Sequence, residues 1–189
     1  MDYGFNNNNF SPVLLIAFNR YESTKKVIEA IVDAGVREIY FSVDGARENF
    51  PEDAVKVSQV KSLVDEFSGK LNFICNFQEQ NFGCRLAVSN SISWFFNQVE
   101  AGIILEDDCV PSKDFFYFAT KMLQKYLEHN SVMHIGGSSY VQNTENYPYN
   151  HYFSSLHEVW GWATWRRAWD YFDLDTGIAS NFERKMSIK

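Results

Sequence analysis

The sequence is poor in the residues on which several common protein classes depend. Its 189 residues include only three cysteines, an odd number without the spacing of metal ligands: Cys75, Cys84 and Cys109. The four histidines lack such spacing as well. So small a set of cysteines predicts a chain that is kept reduced in the cytosol, and not a secreted disulfide scaffold.

Long apolar runs, an excess of positive charge and glycine-rich phosphate loops are also missing. No stretch approaches the roughly 18 consecutive apolar residues of a membrane-spanning helix. Residues 1–10 lack the pattern of a secretory signal, and we predict a flexible lead-in there. The 17 Lys and Arg against 24 Asp and Glu give a net charge of −7, which argues against a nucleic-acid-binding protein with its basic face. Neither G-x-x-x-x-G-K nor G-x-G-x-x-G occurs, which removes most support for ATPases and dinucleotide-binding enzymes.

Apolar runs alternate with amphipathic stretches along most of the chain. The runs predict buried strands at residues 13–18, 38–43, 71–77, 103–105 and 132–135. Helices are predicted at residues 19–35, 51–69, 84–99 and from residue 112 onward. A capping box of Asn19 and Glu22 would open the first helix and Gly35 would end it, while Ser112 would cap the fourth. The alternation predicts one α/β domain, with a mostly parallel central sheet flanked by helices, at residues 11–137.

Residues 138–189 differ in composition, and we assign them to an aromatic-rich part of the same domain. Of the 33 residues at positions 140–172, 11 are aromatic. Three tryptophans recur at helical spacing, which favours a helix that packs them into the core: Trp162, Trp165 and Trp169. Trp160 and Gly161 would precede this helix and could line a pocket, because glycine permits close approach of the backbone.

Charged side chains follow the predicted strands where these end. Arg20 comes after the first strand, Asp44 after the second, and three carboxylates after the fourth: Glu106, Asp107 and Asp108. Arg85 lies near the start of the third helix. In open parallel sheets, ligands bind at the carboxyl ends of the strands. Each residue alone also fits an exposed turn, but consecutive carboxylates beside a buried strand need a compensating cation, and Mg²⁺ or Mn²⁺ would supply it together with phosphate oxygens.

These segments resemble nucleotide-sugar glycosyltransferases of the GT-A type. The matching stretches are residues 12–20 (PVLLIAFNR), 42–45 (SVDG) and 104–116 (ILEDDCVPSKDFF). The Glu-Asp-Asp run is similar to that of N-acetylglucosaminyltransferase I and its bacterial relatives. Residues 158–169 (EVWGWATWRRAW) resemble the bacterial sugar transferases especially closely. The resemblance extends over nearly all of residues 12–172.

The resemblance implies a role for each residue at this edge of the sheet. Five residues would bind the donor: Arg20 and Asp44 at the nucleotide, Arg85 near the diphosphate, and Glu106 and Asp107 at hydroxyls of the sugar and ribose. Asp108 would ligate a Mn²⁺ or Mg²⁺ ion that bridges the phosphates. Three residues would lie on the acceptor side: Trp160, Gly161 and Trp162.

An inverting transfer also needs a general base, which in the resembling family lies in an acidic and aromatic stretch beyond the Trp-Gly-Trp segment. The chain ends at Lys189 without such a stretch, which predicts a C-terminally truncated chain. Four carboxylates remain open as candidates for the base: Glu158, Asp170, Asp173 and Asp175.

The function implied is a metal-dependent, inverting glycosyltransferase of glycan or surface-polysaccharide synthesis. The donor would be a nucleotide-diphosphate sugar, with a UDP-sugar favoured, and the acceptor a glycan or a lipid-linked sugar. The expected location is the cytoplasm, with a peripheral position at the inner membrane face as the alternative. Two other functions stay open, a non-catalytic nucleotide-sugar or glycan-binding module and a nucleotidyltransferase. The latter normally begins with a glycine-rich loop containing arginine, where residues 17–20 read AFNR.

Overall fold

Strands and helices alternate along most of the chain in the computed structural model, which describes residues 10–139 and 151–174. The strands are β1 (Val13–Ala17), β2 (Glu38–Val43), β3 (Asn72–Phe77), β4 (Ala101–Glu106), β5 (Ile135–Gly136) and β6 (Trp162–Trp165). The helices are α1 (Tyr21–Ala34), α2 (Pro51–Phe67), α3 (Gly83–Phe96), α4 (Lys113–Lys125) and α5 (Arg166–Trp169). No helix in these ranges is both long and apolar enough to cross a membrane.

The strands form one sheet in the order β3-β2-β1-β4-β6-β5. β1 pairs in parallel with β2 and β4, and β2 pairs in parallel with β3. β6 runs antiparallel to both β4 and β5. The predicted α/β fold with a mostly parallel sheet is therefore confirmed. The strand order reverses between β1 and β4, so a crevice opens at the carboxyl ends of these two strands, where open α/β sheets bind ligands.

The central strands are apolar on both faces because helices cover both faces of the sheet. In β1, Leu15 packs with the side chains of α1, α2 and α4, while Leu14 packs on the opposite face with α3. Two of the predicted helix-capping residues are confirmed. Gly35 closes α1 with a left-handed φ of 97°, and the Ser112 hydroxyl accepts a hydrogen bond from the Phe115 amide at the start of α4.

The predicted capping box at the start of α1 is wrong. Arg20 is the N-cap residue, and no side chain caps the helix. The Asn19 side chain instead donates a hydrogen bond of 2.8 Å to Asp53 of α2. Asp53 is a fully buried carboxylate, so its hydrogen bond directs the Asn19 side chain towards α2, and α1 begins one residue later than predicted.

The helix predicted from the tryptophan spacing is also wrong in its first half. Residues 162–165 form β6, and only the four residues after it form a helix. Trp162 and Trp165 lie three positions apart on a strand, so they point to opposite faces and join the two different cores. Residues 162–165 form a strand because they pair with the otherwise free edge of β4. This pairing satisfies the backbone hydrogen-bonding groups of that edge and buries both indoles. The predicted fifth strand is also shorter than expected, since residues 132–134 precede β5.

Asp53 ties the loop after β1 to the start of α2. Besides the hydrogen bond from Asn19, its carboxylate accepts two from the Arg47 guanidinium, which packs over the Phe50 ring at 3.9 Å. The hydrogen bonds from Arg47 and then Asn19 lower the pKa of Asp53 to about 2. A carboxylate with a depressed pKa in the folded chain stabilises the fold above its unfolded pKa, and loses this contribution as the pH falls through the folded value.

We predict that Asp53→Asn lowers the urea midpoint of unfolding at pH 7, and that the deficit narrows as the pH falls from about 4 towards 2. Urea titrations at several pH values would measure this dependence. Asp65→Asn, which changes an exposed carboxylate of the same helix, is the matched control and should show no such deficit. A deficit for Asp53→Asn that stays constant over this pH range would contradict the electrostatic account.

Candidate functional site

Arg20 spans the crevice between the carboxyl ends of β1 and β4. One guanidinium nitrogen forms an ion pair with Asp107, and the other lies 3.2 Å from Asp108. Asp107 is buried and also accepts a hydrogen bond of 3.3 Å from the Phe18 amide. The predicted cation and two of the predicted carboxylates therefore meet, and Arg20 supplies the positive charge that lets Asp107 be buried.

Asp108 is the more accessible of the paired carboxylates, with 39% of its side chain exposed. Its Oδ2 faces Arg20, and its Oδ1 accepts a hydrogen bond of 3.1 Å from the Trp160 indole N–H. Burial alone would raise the pKa of Asp108, but the Trp160 hydrogen bond and the Arg20 charge together hold it below its ordinary value. Asp108 is therefore held in its charged form and remains open to solvent, as a cation ligand must be.

Glu106 lies on the other face of β4, because strand side chains alternate. Its carboxylate lines a cavity of about 920 Å³, walled mostly by apolar and aromatic side chains of α3, α4 and residues 151–174. Burial, and then the charges of Asp108 and Asp107, raise the pKa of Glu106. Within the described ranges the structure records no hydrogen bond to this carboxylate, so it can accept hydroxyl donors from a ligand.

Asp44 lies at the carboxyl end of β2 and is buried. Its carboxylate accepts four hydrogen bonds, from the amides of Gly45, Phe82 and Gly83 and from the side chain of Asn81. Four donors account for the usual capacity of a carboxylate. In this structure Asp44 fixes the loop that leads into α3, and its expected contact with a nucleotide stays a prediction. The sequence did not predict this role of Asn81, because nothing in an Asn-Phe-Gly turn indicates a hydrogen bond to Asp44, 37 positions earlier.

Arg85 lies in the first turn of α3, exposed at the rim of the cavity that Glu106 lines. Its guanidinium donates a hydrogen bond to the backbone carbonyl of Leu174. Within the described ranges it makes no ion pair with the Glu-Asp-Asp carboxylates. The structure therefore places Arg85 beside the larger cavity, apart from the cluster around Arg20.

The three residues expected on the acceptor side have different environments. Trp160 is 57% exposed and reaches Asp108. Gly161 has a φ of 66°, a conformation that favours glycine. Trp162 is buried in β6, where its ring stacks on His134 with 4.9 Å between ring centroids. Their role toward an acceptor stays a prediction.

The candidates for a general base are also separated. Asp173 lines the same cavity as Glu106, whereas Asp170 and Glu158 are exposed residues outside its lining. Asp175 lies outside the described residues. Of the described candidates, Asp173 is thus the one that shares a cavity with Glu106.

Asp108 fits a divalent cation by its chemistry. It is a charged, partly exposed carboxylate, and Mg²⁺ or Mn²⁺ is commonly bound through one or two carboxylates together with phosphate oxygens and water. The described residues include no cluster of three or more His, Cys, Asp or Glu side chains that could enclose a metal ion. A site of the open kind, completed by a phosphorylated ligand, does not require such a cluster.

Comparison with known proteins shows a shared fold. No protein-family model matches the sequence, and no curated protein does. Among solved structures, the chain is similar to the mannosyltransferase PcManGT from Pyrobaculum calidifontis, solved in complex with GDP-Man and Mn²⁺. The TM-score is 0.51 at 12% identity, over 82% of this chain and 44% of the mannosyltransferase. The chain thus spans less than half the length of that enzyme, with which it shares the sheet architecture.

Two further structures are similar at lower TM-scores. A 4-diphosphocytidyl-2C-methyl-D-erythritol synthase from Anaerococcus prevotii gives 0.48 at 11% identity, over 93% of this chain and 83% of that one. A UDP-glucose pyrophosphorylase complexed with UDP-glucose has a TM-score of 0.44 at 12% identity, over 95% of this chain and 88% of the pyrophosphorylase.

We predict that Asp44→Ala destabilises the chain by about 2–4 kcal/mol, because it leaves several N–H donors without their charged acceptor. Urea denaturation measures the free energy of unfolding. Asn81→Ala is the matched variant, and it should cost less because the backbone amides of Phe82 and Gly83 keep their acceptor. A loss for Asp44→Ala no larger than that for Asn81→Ala would show that the carboxylate does not hold this loop.

Proposed function

We propose that the chain acts as a metal-dependent glycosyltransferase, which moves a sugar from a nucleoside diphosphate to an acceptor hydroxyl. The observation that carries the proposal is the pairing of Arg20 with Asp107 and Asp108 at the reversal of strand order between β1 and β4. This is the position at which open α/β sheets bind ligands. The shared fold with a mannosyltransferase that binds GDP-Man and Mn²⁺ supports it.

Asp108 would hold Mn²⁺ or Mg²⁺, and the ion would neutralise the charge that develops on the departing nucleoside diphosphate. Arg20 contributes to the same end, because its guanidinium already lies beside Asp108 and presents donors suited to phosphate oxygens. Such donors, placed where charge develops, stabilise the transition state without reorganisation. Arg85 would add a further positive charge near the diphosphate.

Glu106 and Asp107 would orient the donor through hydroxyl groups of the sugar and ribose. For Glu106, the support is that its half-buried carboxylate lines a cavity of about 920 Å³. The volume lies in the range of small-molecule sites, roughly 300–1,000 Å³. Asp44 would act at the nucleotide, with its four hydrogen bonds also fixing the loop before α3.

An inverting transfer completes the proposal. The acceptor hydroxyl would attack the anomeric carbon as a general base removes its proton, with Asp173, Asp170, Glu158 and Asp175 as the candidates. Trp160, Gly161 and Trp162 would lie on the acceptor side. The acceptor would be a glycan or a lipid-linked sugar in surface-polysaccharide synthesis, and a UDP-sugar remains the favoured donor. The three cysteines are all free, which supports a cytoplasmic location.

We predict that UDP or GDP binds more tightly with Mn²⁺ than without it, and that Asp108→Ala abolishes this enhancement because it removes the proposed metal ligand. Isothermal titration calorimetry of each nucleotide, with and without Mn²⁺, measures the effect. Asp114→Ala is the control, since it removes an exposed carboxylate in the first turn of α4. Unchanged nucleotide affinity in Asp108→Ala, or no effect of Mn²⁺ on the original chain, would contradict the proposal.

A product assay separates an enzyme from a non-catalytic binding module. If the chain binds a nucleotide sugar with Mn²⁺ but neither transfers the sugar nor hydrolyses the donor, it is the module. Release of the nucleoside diphosphate from the donor, dependent on Mn²⁺ and lost in Asp108→Ala, would establish catalysis.

A further inference from the structure

Asp108 is held from two sides by donors of different charge. Arg20, a cation, faces Oδ2 at 3.2 Å. The Trp160 indole, a neutral donor, reaches Oδ1 at 3.1 Å, and the Cys109 thiol lies 3.6 Å from the same oxygen. The difference matters for a metal ligand. A guanidinium cancels the carboxylate charge that attracts a cation, whereas an indole N–H orients the carboxylate and leaves that charge in place.

Burial does not explain the position of the Trp160 ring. The residue is 57% exposed, although a tryptophan gains stability by removing its large apolar surface from water. Its neighbour in the Trp-Gly-Trp segment, Trp162, is buried in the sheet as expected of a core residue. Among the described residues, the hydrogen bond of the Trp160 ring runs from its N–H to Asp108.

The backbone around Trp160 is built to present this side chain. Gly161 takes a positive φ of 66°, and its carbonyl accepts a hydrogen bond of 2.9 Å from the Gly137 amide. The Ser138 hydroxyl donates to the Trp160 carbonyl at 3.3 Å. A Cβ on Gly137 would lie 2.5 Å from the Gly161 carbonyl oxygen and equally close to the Phe115 ring. The turn is therefore packed against the sheet and α4, which gives the indole a fixed base.

We propose that Trp160 is a positioning residue that aims Asp108 at the metal ion. Its indole N–H would hold Oδ1, so that Oδ2, which now faces Arg20, is the oxygen free to exchange the guanidinium for the cation. This inference rests on the proposed function, and it gives Trp160, which is proposed above on the acceptor side, a second role at the metal ligand Asp108. Hydrogen-bonding partners of this kind orient metal ligands, and their loss weakens metal binding about 10- to 100-fold.

The first test needs no metal. The chain has five tryptophans, so the ¹H–¹⁵N spectrum contains five indole signals, and Trp160→Phe assigns one of them to Trp160. Asp108→Ala should move the Trp160 signal strongly and leave that of Trp169, whose indole bonds to the Ser93 hydroxyl, in place. If the Trp160 indole signal keeps its chemical shift in Asp108→Ala, the inference is wrong.

The second test measures Mn²⁺ affinity with UDP present, by electron paramagnetic resonance of the free ion. Trp160→Phe keeps an aromatic ring but loses the donor, and should weaken Mn²⁺ binding about tenfold while UDP binding without metal is unchanged. Trp94→Phe, the control, removes an indole N–H of α3 outside the cavity that Glu106 lines and should not alter the affinity. In the double variant Asp108→Ala/Trp160→Phe, the affinity should equal that of Asp108→Ala alone, since Trp160 acts through Asp108.

The outcomes separate this inference from the proposed function. If Asp108→Ala loses Mn²⁺ and Trp160→Phe does not, the proposed function stands and the role of Trp160 is wrong. If the original chain shows no Mn²⁺-dependent binding of UDP or GDP, the proposed function fails, and the role of Trp160 fails with it even if its indole signal responds to Asp108.

Discussion

The structure depends on how consecutive carboxylates are accommodated at the end of a buried strand. β4 is covered on both faces, yet it ends directly in three acidic residues. Alternation along β4 sends Glu106 into a cavity, and the turn that follows the strand leaves Asp107 and Asp108 at the crevice beside β1. Two negative charges placed this close need a cation, and Arg20 provides it from the neighbouring strand end. The same arrangement that keeps this edge stable is the one at which we propose that a second cation and an anionic ligand meet.

The rest of the fold serves to hold this edge. Asp53 accepts a hydrogen bond from Asn19 and so fixes the loop that carries Arg20. Asp44 pins the loop that begins α3, and β6 pairs with β4 just before the acidic run. Because β6 starts at Trp162, it also brings the preceding Trp160 to Asp108. Each connection joins segments far apart in sequence, so the site is a product of the sheet topology.

The fold was largely predictable because its signals are local. Doubly apolar runs marked β1 and β4, and single residues such as Gly35 and Ser112 marked helix ends. The predictions failed where a residue or strand distant in sequence determines the local structure. Asn19 caps no helix because its side chain is directed to Asp53 and α1 begins one residue later than predicted. The tryptophan spacing that suits a helix also suits a two-faced strand once the edge of β4 is available. The meeting of Arg20 with the acidic run followed from the strand ends, whereas the hydrogen bond from Trp160 depends on an antiparallel strand that the sequence pattern did not reveal.

The most direct test of the central claim is a crystal structure of the chain soaked with UDP or GDP and Mn²⁺, with the metal located by its anomalous scattering. The account predicts an anomalous peak in contact with the Asp108 carboxylate and a diphosphate bound between that ion and Arg20. Density for Mn²⁺ and the diphosphate together at another part of the molecule, with the ion pairs of Arg20 undisturbed, would contradict it.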